Sequence, residues 1–140
     1  MKMGRTTEKV KIANFGDQLK AAEGIIKHSD IRTAEVEAIV DTGATYLCLP
    51  PEVIQRLGLV FHTEVVVATA NGYVTRRLYL GAKAEIQGRS TLVTVMENDL
   101  KTPPLIGYIL LEELDFVVDA KTKKIIPNPV HEGKWVADLY

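Results

Sequence analysis

The segment Ala38-Ile39-Val40-Asp41-Thr42-Gly43-Ala44-Thr45 runs an apolar strand straight into a carboxylate, a hydroxyl and a glycine. A carboxyl group at the end of a buried strand is costly unless it is hydrogen-bonded, paired or put to use, and the use open to it is proton transfer. Gly43 has no side chain, so its backbone can approach another group closely and its N–H can donate to a carboxylate. Thr42 offers a hydroxyl that can bond across to another backbone. Other reactive side chains are less usefully placed. Cys48 is the only cysteine, which excludes an intrachain disulfide. Within Tyr46-Leu47-Cys48-Leu49, with no histidine near in sequence, it reads as a small buried hydrophobe rather than a nucleophile. His28, His62 and His131 lack the i, i+4 spacing or the cysteine partner of a zinc site. Walker A, Gly-x-Gly-x-x-Gly and Gly-x-Ser-x-Gly sequences do not occur.

Asp41-Thr42-Gly43-Ala44 after an apolar strand resembles the signature of the retropepsin-like aspartic proteases. Two further features agree in order and spacing. Pro104-Leu105-Ile106-Gly107 is similar to the family's second signature, two apolar residues and a glycine ahead of a short helix. The hairpin tip Ala70-Asn71-Gly72-Tyr73 lies between the two motifs, where the family has its flap. The resemblance covers residues 36–127 of one domain spanning 1–140, with 1–35 as an N-terminal extension and 128–140 as a tail. Ile125-Ile126-Pro127-Asn128-Pro129 looks like the ending of bacterial or archaeal single-domain members. Tyr108-Ile109 departs from the pattern, since retroviral members carry a polar or charged residue just after the second-motif glycine.

The resemblance implies an all-β fold, a closed barrel-like acid protease domain with one or two short helices, acting as a C2 homodimer. It implies peptide hydrolysis at mildly acidic pH by two aspartates that share one proton, because like charges at close range do not both ionise easily. One carboxylate takes a proton from water and the other donates to the scissile carbonyl, with no metal, cofactor or covalent intermediate. Asp-Thr-Gly occurs once, so Asp41 needs its copy from a second chain. By the same resemblance Thr42 bonds across the twofold axis, Gly43 sits beneath the carboxylate, Ala44 lines the cleft, and residues 70–73 close over an extended polypeptide substrate. A competing reading is a proteolytically inactive peptide-binding or assembly module of the same fold.

The elements that must position these residues are short strands with turn punctuation. Lys9 and Lys11 alternate with Val10 and Ile12, which predicts a strand over 9–15. Asp17 is placed to cap a helix reaching about Lys27, and residues 31–40 predict a strand ending at the site. Pro50-Pro51-Glu52 opens a short helix that Gly58 ends. Strands over 65–70 and 73–80 meet at Asn71-Gly72, the dipeptide suited to a turn with positive φ at both central residues. A second hairpin joins 83–87 to 91–96 around Gly88-Arg89. A helix over 108–114, strands over 116–119 and 124–127, and a last strand over 135–139 anchored by Trp135 complete the expectation.

Composition narrows the class. The 140 residues are 46% hydrophobic and 25% charged, with net charge −1, the balance of an ordinary globular domain. Neither nucleic acid nor a membrane is expected as a partner: Arg76-Arg77 and Lys121, Lys123, Lys124 read as solvated strand and turn faces. Tyr73, Tyr79 and Tyr108 show no stacking pattern. Residues 1–14 are polar and basic without the apolar core of a secretory leader, so a reducing, cytoplasmic location is the expectation.

Overall fold

The computed structural model describes residues 5–139. The alternation at the N-terminus becomes strand β1, Thr7–Asn14, with Val10 and Ile12 buried and Lys9 and Lys11 in solvent. β1 pairs antiparallel with β2, Thr33–Val40, which delivers the chain to Asp41. Then come β3, Leu47–Leu49; helix α2, Pro51–Leu57; and the hairpin of β4, Val60–Thr69, and β5, Gly72–Ile86. (Helix α1, Phe15–Ala22, lies between β1 and β2.) β6, Arg89–Glu97, and β7, Leu105–Ile106, lead into helix α3, Tyr108–Glu113, and the separate hairpin of β8, Phe116–Asp119, and β9, Lys124–Pro127.

The large sheet has the order β1-β2-β7-β3-β6-β5-β4, and β1 also pairs with β5 through Lys11↔Glu85 to Asn14↔Ala82. Val10, Ile12, Leu47, Leu49, Ile86 and Ile106 fill its interior, each fully buried. Each such side chain contributes about 1.5–3 kcal/mol by leaving water. This burial sustains α2, whose seven residues are too few to be helical alone. Val53, Ile54 and Leu57 form its buried face, Pro51 stands in its first turn, and Gly58 at φ 66° closes it as the sequence predicts.

Several expectations are corrected. α1 is capped by Asn14, whose side chain accepts from the Asp17 N–H at 2.9 Å and donates to the Leu57 carbonyl at 2.8 Å. The helix ends at Ala22, because Gly24 takes a left-handed φ of 77°. With α2 and α3 this makes three α-helices among the described residues, not one or two. The strands expected at 73–80 and 83–87 are one 15-residue strand, β5. Gly81, at φ 100°, bulges it rather than breaking it, and the register with β6 shifts between Tyr79 and Ala82. Both hairpin loops lie one residue earlier than expected. Ala70-Asn71 is the first, with Gly72 alone of the tip at positive φ; the second is Gln87-Gly88, both at positive φ.

The tail forms no strand over 135–139. A 3₁₀ turn at Pro129–His131 is fastened to the end of α3 instead. Asp115 accepts from Asn128 Nδ2 and the Val136 N–H and lies 2.6 Å from His131 Nδ1. Burial works to raise the Asp115 carboxyl, but these partners hold it below the usual carboxylate range. Arg89 reaches the carbonyls of Leu114, Asp115 and Gly133 and stacks on Phe116 and Trp135. These local partners satisfy backbone that a strand would have paired.

Asp17, relieved of the capping role, is buried in the first turn of α1 and takes three hydrogen bonds from Arg32, the shortest 2.8 Å. That contact lowers its carboxyl from 3.8 to about 2. A depressed folded-state value stabilises the protein above the unfolded value and is lost as pH falls through about 2. Asp17→Asn is therefore expected to lose about 1 kcal/mol at pH 7, at the low end because Arg32 is half exposed and screened. Thermal melts of the two proteins should converge between pH 4 and 2.

No helix among the described residues is long and apolar enough to cross a membrane.

Candidate active site

Two short segments, distant in sequence, are laced together at the end of β2. β7 lies between β2, to which it is parallel through Ile39↔Leu105 and Val40↔Ile106, and β3, to which it is antiparallel at Cys48↔Leu105. Three backbone hydrogen bonds then join the Asp41 loop to the Gly107 corner. Asp41 N–H donates to the Ile106 carbonyl at 2.9 Å, Tyr108 N–H to the Ala44 carbonyl at 2.9 Å, and Ile109 N–H to the Thr45 carbonyl at 3.3 Å. The last two are the opening N–H groups of α3, which no helix can pair internally, so the Asp41 loop serves as the cap of that helix.

Gly107 makes the lacing possible. A Cβ there would stand 2.5 Å from the Tyr46 carbonyl oxygen and 2.7 Å from that of Ala44. Its φ is −84°, so the glycine is required by close approach, not by backbone conformation.

The carboxylate is held as the sequence suggests in one respect and not in another. Gly43 N–H donates to Asp41 Oδ1 at 3.0 Å, and a Cβ on Gly43 would lie 3.3 Å from that oxygen. The Asp41 side chain is exposed in the single chain, not buried at a strand end. Among the described residues no other hydrogen bond reaches its carboxylate, and none reaches the Thr42 hydroxyl, also exposed. Ala44 is half-buried.

The hairpin tip Ala70, Asn71, Gly72 and Tyr73 stands in solvent, with Tyr73 80% exposed. Thr69 steadies it, its hydroxyl donating to the Gly72 carbonyl at 2.7 Å and accepting from the Asn71 N–H at 3.2 Å. No hydrogen bond among the described residues joins the tip to the Asp41 segment. The arms below the tip do reach the floor. Val65 and Val67 of β4 and Leu78 of β5 pack with Tyr46, Cys48, Met96 and Leu105 in a small apolar cluster of their own. The arms are thus packed on the apolar cluster beside the Asp41 loop, while the tip stands in water.

A family model described as "gag-polyprotein putative aspartyl protease" matches residues 28–113. The chain belongs to that family. No curated protein was found to match it. The aspartyl protease match holds β2 through α3, and so both laced segments and the hairpin between them. It extends ahead of the resemblance read at 36–127 and stops short of β8 and β9. β1 and α1 also lie outside the match, although β1 pairs with β2 from Thr33 to Ile39.

Two parts of this aspartyl protease domain escaped the sequence. β3 and β7 are three and two residues long, too short for a period to show. Arg76, read as part of a solvated face, is only 30% exposed and shares a face of β5 with buried Leu78; the sign was its two-residue spacing from Val74 and Leu78. Cys48 is the buried hydrophobe it was read to be. Burial pushes its thiol up to about 12, and the nearby Asp41 carboxylate adds to the effect. The native thiol is therefore expected to react with a disulfide reagent at pH 8 about 10³-fold more slowly than free cysteine, with full rate restored on unfolding. Fast labelling of the folded protein would contradict this.

Proposed function

We propose that the protein is an aspartic endopeptidase that hydrolyses peptide bonds by activating water between the Asp41 carboxylates of two chains. The observation that carries the reading is the exposed Asp41 carboxylate, fixed through one oxygen by the Gly43 N–H, on a loop that the Gly107 corner holds rigid. A positioned carboxylate with an oxygen open to solvent can accept a proton from water. A lone carboxylate has no acid partner, and its exposure leaves room for a second copy to face it across a twofold axis. The pair would titrate as one unit, one member as base and the other as acid.

In that assembly Asp41 is the catalytic group, and Thr42, Gly43 and Ala44 support it, Thr42 by bonding to the partner's backbone. Leu105, Ile106 and Gly107 form the second motif that fixes the loop. Residues 70–73 close over an extended peptide and exclude water. The β1–β5 pairing, which brings the strand order back upon itself, supports a closed barrel. A single domain over residues 1–140 agrees with β1 and α1 packing on the matched span.

The decisive test joins two chains by a flexible linker. A linked dimer with Asp41→Asn in only one half should lose cleavage of denatured casein as completely as the double variant. Half the wild-type rate from the singly substituted dimer would mean that each chain carries its own site, and the shared-dyad reading would fall.

A further inference from the structure

Three basic and three acidic residues line an open groove of about 700 Å³ between the β4–β5 hairpin and the loop at 98–101: Arg76, Arg77 and Lys101, and Glu64, Glu97 and Asp99. The charges balance in number, but β5 divides them by face. Arg77 stands opposite Glu64 in the register, and Tyr79 first, then the charge of Glu97, raise its guanidinium above the usual arginine value. The Tyr79 hydroxyl in turn donates to Glu97 at 3.0 Å.

Arg76 projects to the other face, with Val74 and Leu78. Leu78 is buried in the apolar cluster with Tyr46, Cys48 and Leu105, and Val65, the cross-strand neighbour of Arg76, packs on that cluster. The guanidinium therefore belongs to the underside of the hairpin, the side of the Asp41 floor. The Cys48 thiol feels the charges of both Asp41 and Arg76, in agreement with that placement.

The Arg76 fork is largely uncommitted. One nitrogen donates to the Thr75 carbonyl at 3.2 Å, and another lies 3.9 Å from Asp99 Oδ2, beyond hydrogen-bonding distance. Asp99 is engaged elsewhere: its Oδ1 accepts from the N–H groups of Lys101 and Thr102 and from the Thr102 hydroxyl. A guanidinium has five donors in a planar fork that matches a carboxylate, and a partly dried site strengthens the pairing.

Building on the peptidase reading, we infer that Arg76 makes the cleft select an acidic side chain in the peptide held beneath the hairpin. A glutamate or aspartate there gains a charge-assisted pair, whereas a lysine meets a like charge.

The test compares matched peptides carrying Glu, Gln or Lys at each position around the scissile bond. At one position the wild type should favour Glu over Gln by about tenfold in kcat/KM, which is about 1.4 kcal/mol. Arg76→Met should bring the three peptides within about twofold of one another, and Arg76→Glu should turn the preference toward Lys. Asp99→Asn keeps the acceptor oxygen of its turn while removing the competing charge, so it should sharpen the preference for Glu. A wild type that cleaves with no acidic preference at any position, or a preference that survives Arg76→Met, overturns this inference and leaves the peptidase reading standing. A wild type that cleaves none of the peptides removes both.

Discussion

Asp41→Asn is expected to lower kcat/KM on every cleaved peptide by about 10²- to 10⁴-fold, the range that a positioned acid or base contributes. The fold should not register the change. Asparagine keeps an oxygen where Oδ1 accepts the Gly43 N–H, and the carboxylate is exposed, so no buried charge is orphaned. Sedimentation and thermal melting should match the wild type, which separates lost chemistry from lost structure. A neutral amide neither takes a proton from water nor shares one with its copy, so the surviving aspartate of a mixed dimer has no partner. Full peptidase activity in the variant would end the proposal. A wild type that forms a dimer yet stays inactive from pH 4 to 7 would favour a peptide-binding module of the same fold.

Gly107→Ala should be the most destabilising single-methyl change near the site. The added carbon meets backbone on three sides, 2.5 Å from Tyr46 O, 2.6 Å from Thr45 C and 2.7 Å from Ala44 O, and backbone laced by three hydrogen bonds cannot step aside cheaply. Overpacking of this kind costs about 3 kcal/mol, which for a chain of this length lowers Tm by roughly 10 °C. The damage should also reach activity, because relief comes only by moving the Ala44–Tyr46 segment that follows Asp41. Gly88→Ala is the control. It has open space around its Cβ and a φ of 84°, so it should cost about 1 kcal/mol of backbone strain and leave kcat unchanged. Equal melting temperatures for Gly107→Ala and the wild type would show that the corner yields to a methyl group.

The sequence showed most where a feature is local. Alternation set β1 and β2, Pro51 and Gly58 bracketed α2, and the motif residues were recognisable as a resemblance before any fold was known. It misplaced features decided by competition between neighbours. Asp17 looked like a cap, but Asn14 stands where its side chain can reach both the first turn and the Leu57 carbonyl, and Asp17 gained more from Arg32. Residues 73–80 and 83–87 looked like two strands, but Gly81 at positive φ lets a single strand bulge and continue. The tail looked like a strand, but the side chains of Asp115 and Arg89 pair its backbone instead.

The sequence by itself determined that there is one Asp-Thr-Gly, and so one candidate carboxylate per chain, with a glycine beside it able to donate a backbone hydrogen bond. Only the tertiary structure decided that Gly107 must lack a side chain, since the three backbone atoms it would strike come from residues more than sixty positions earlier. It also decided that Asp41 stands exposed rather than buried, because exposure depends on which strands flank the end of β2 and not on the apolar run that leads into it.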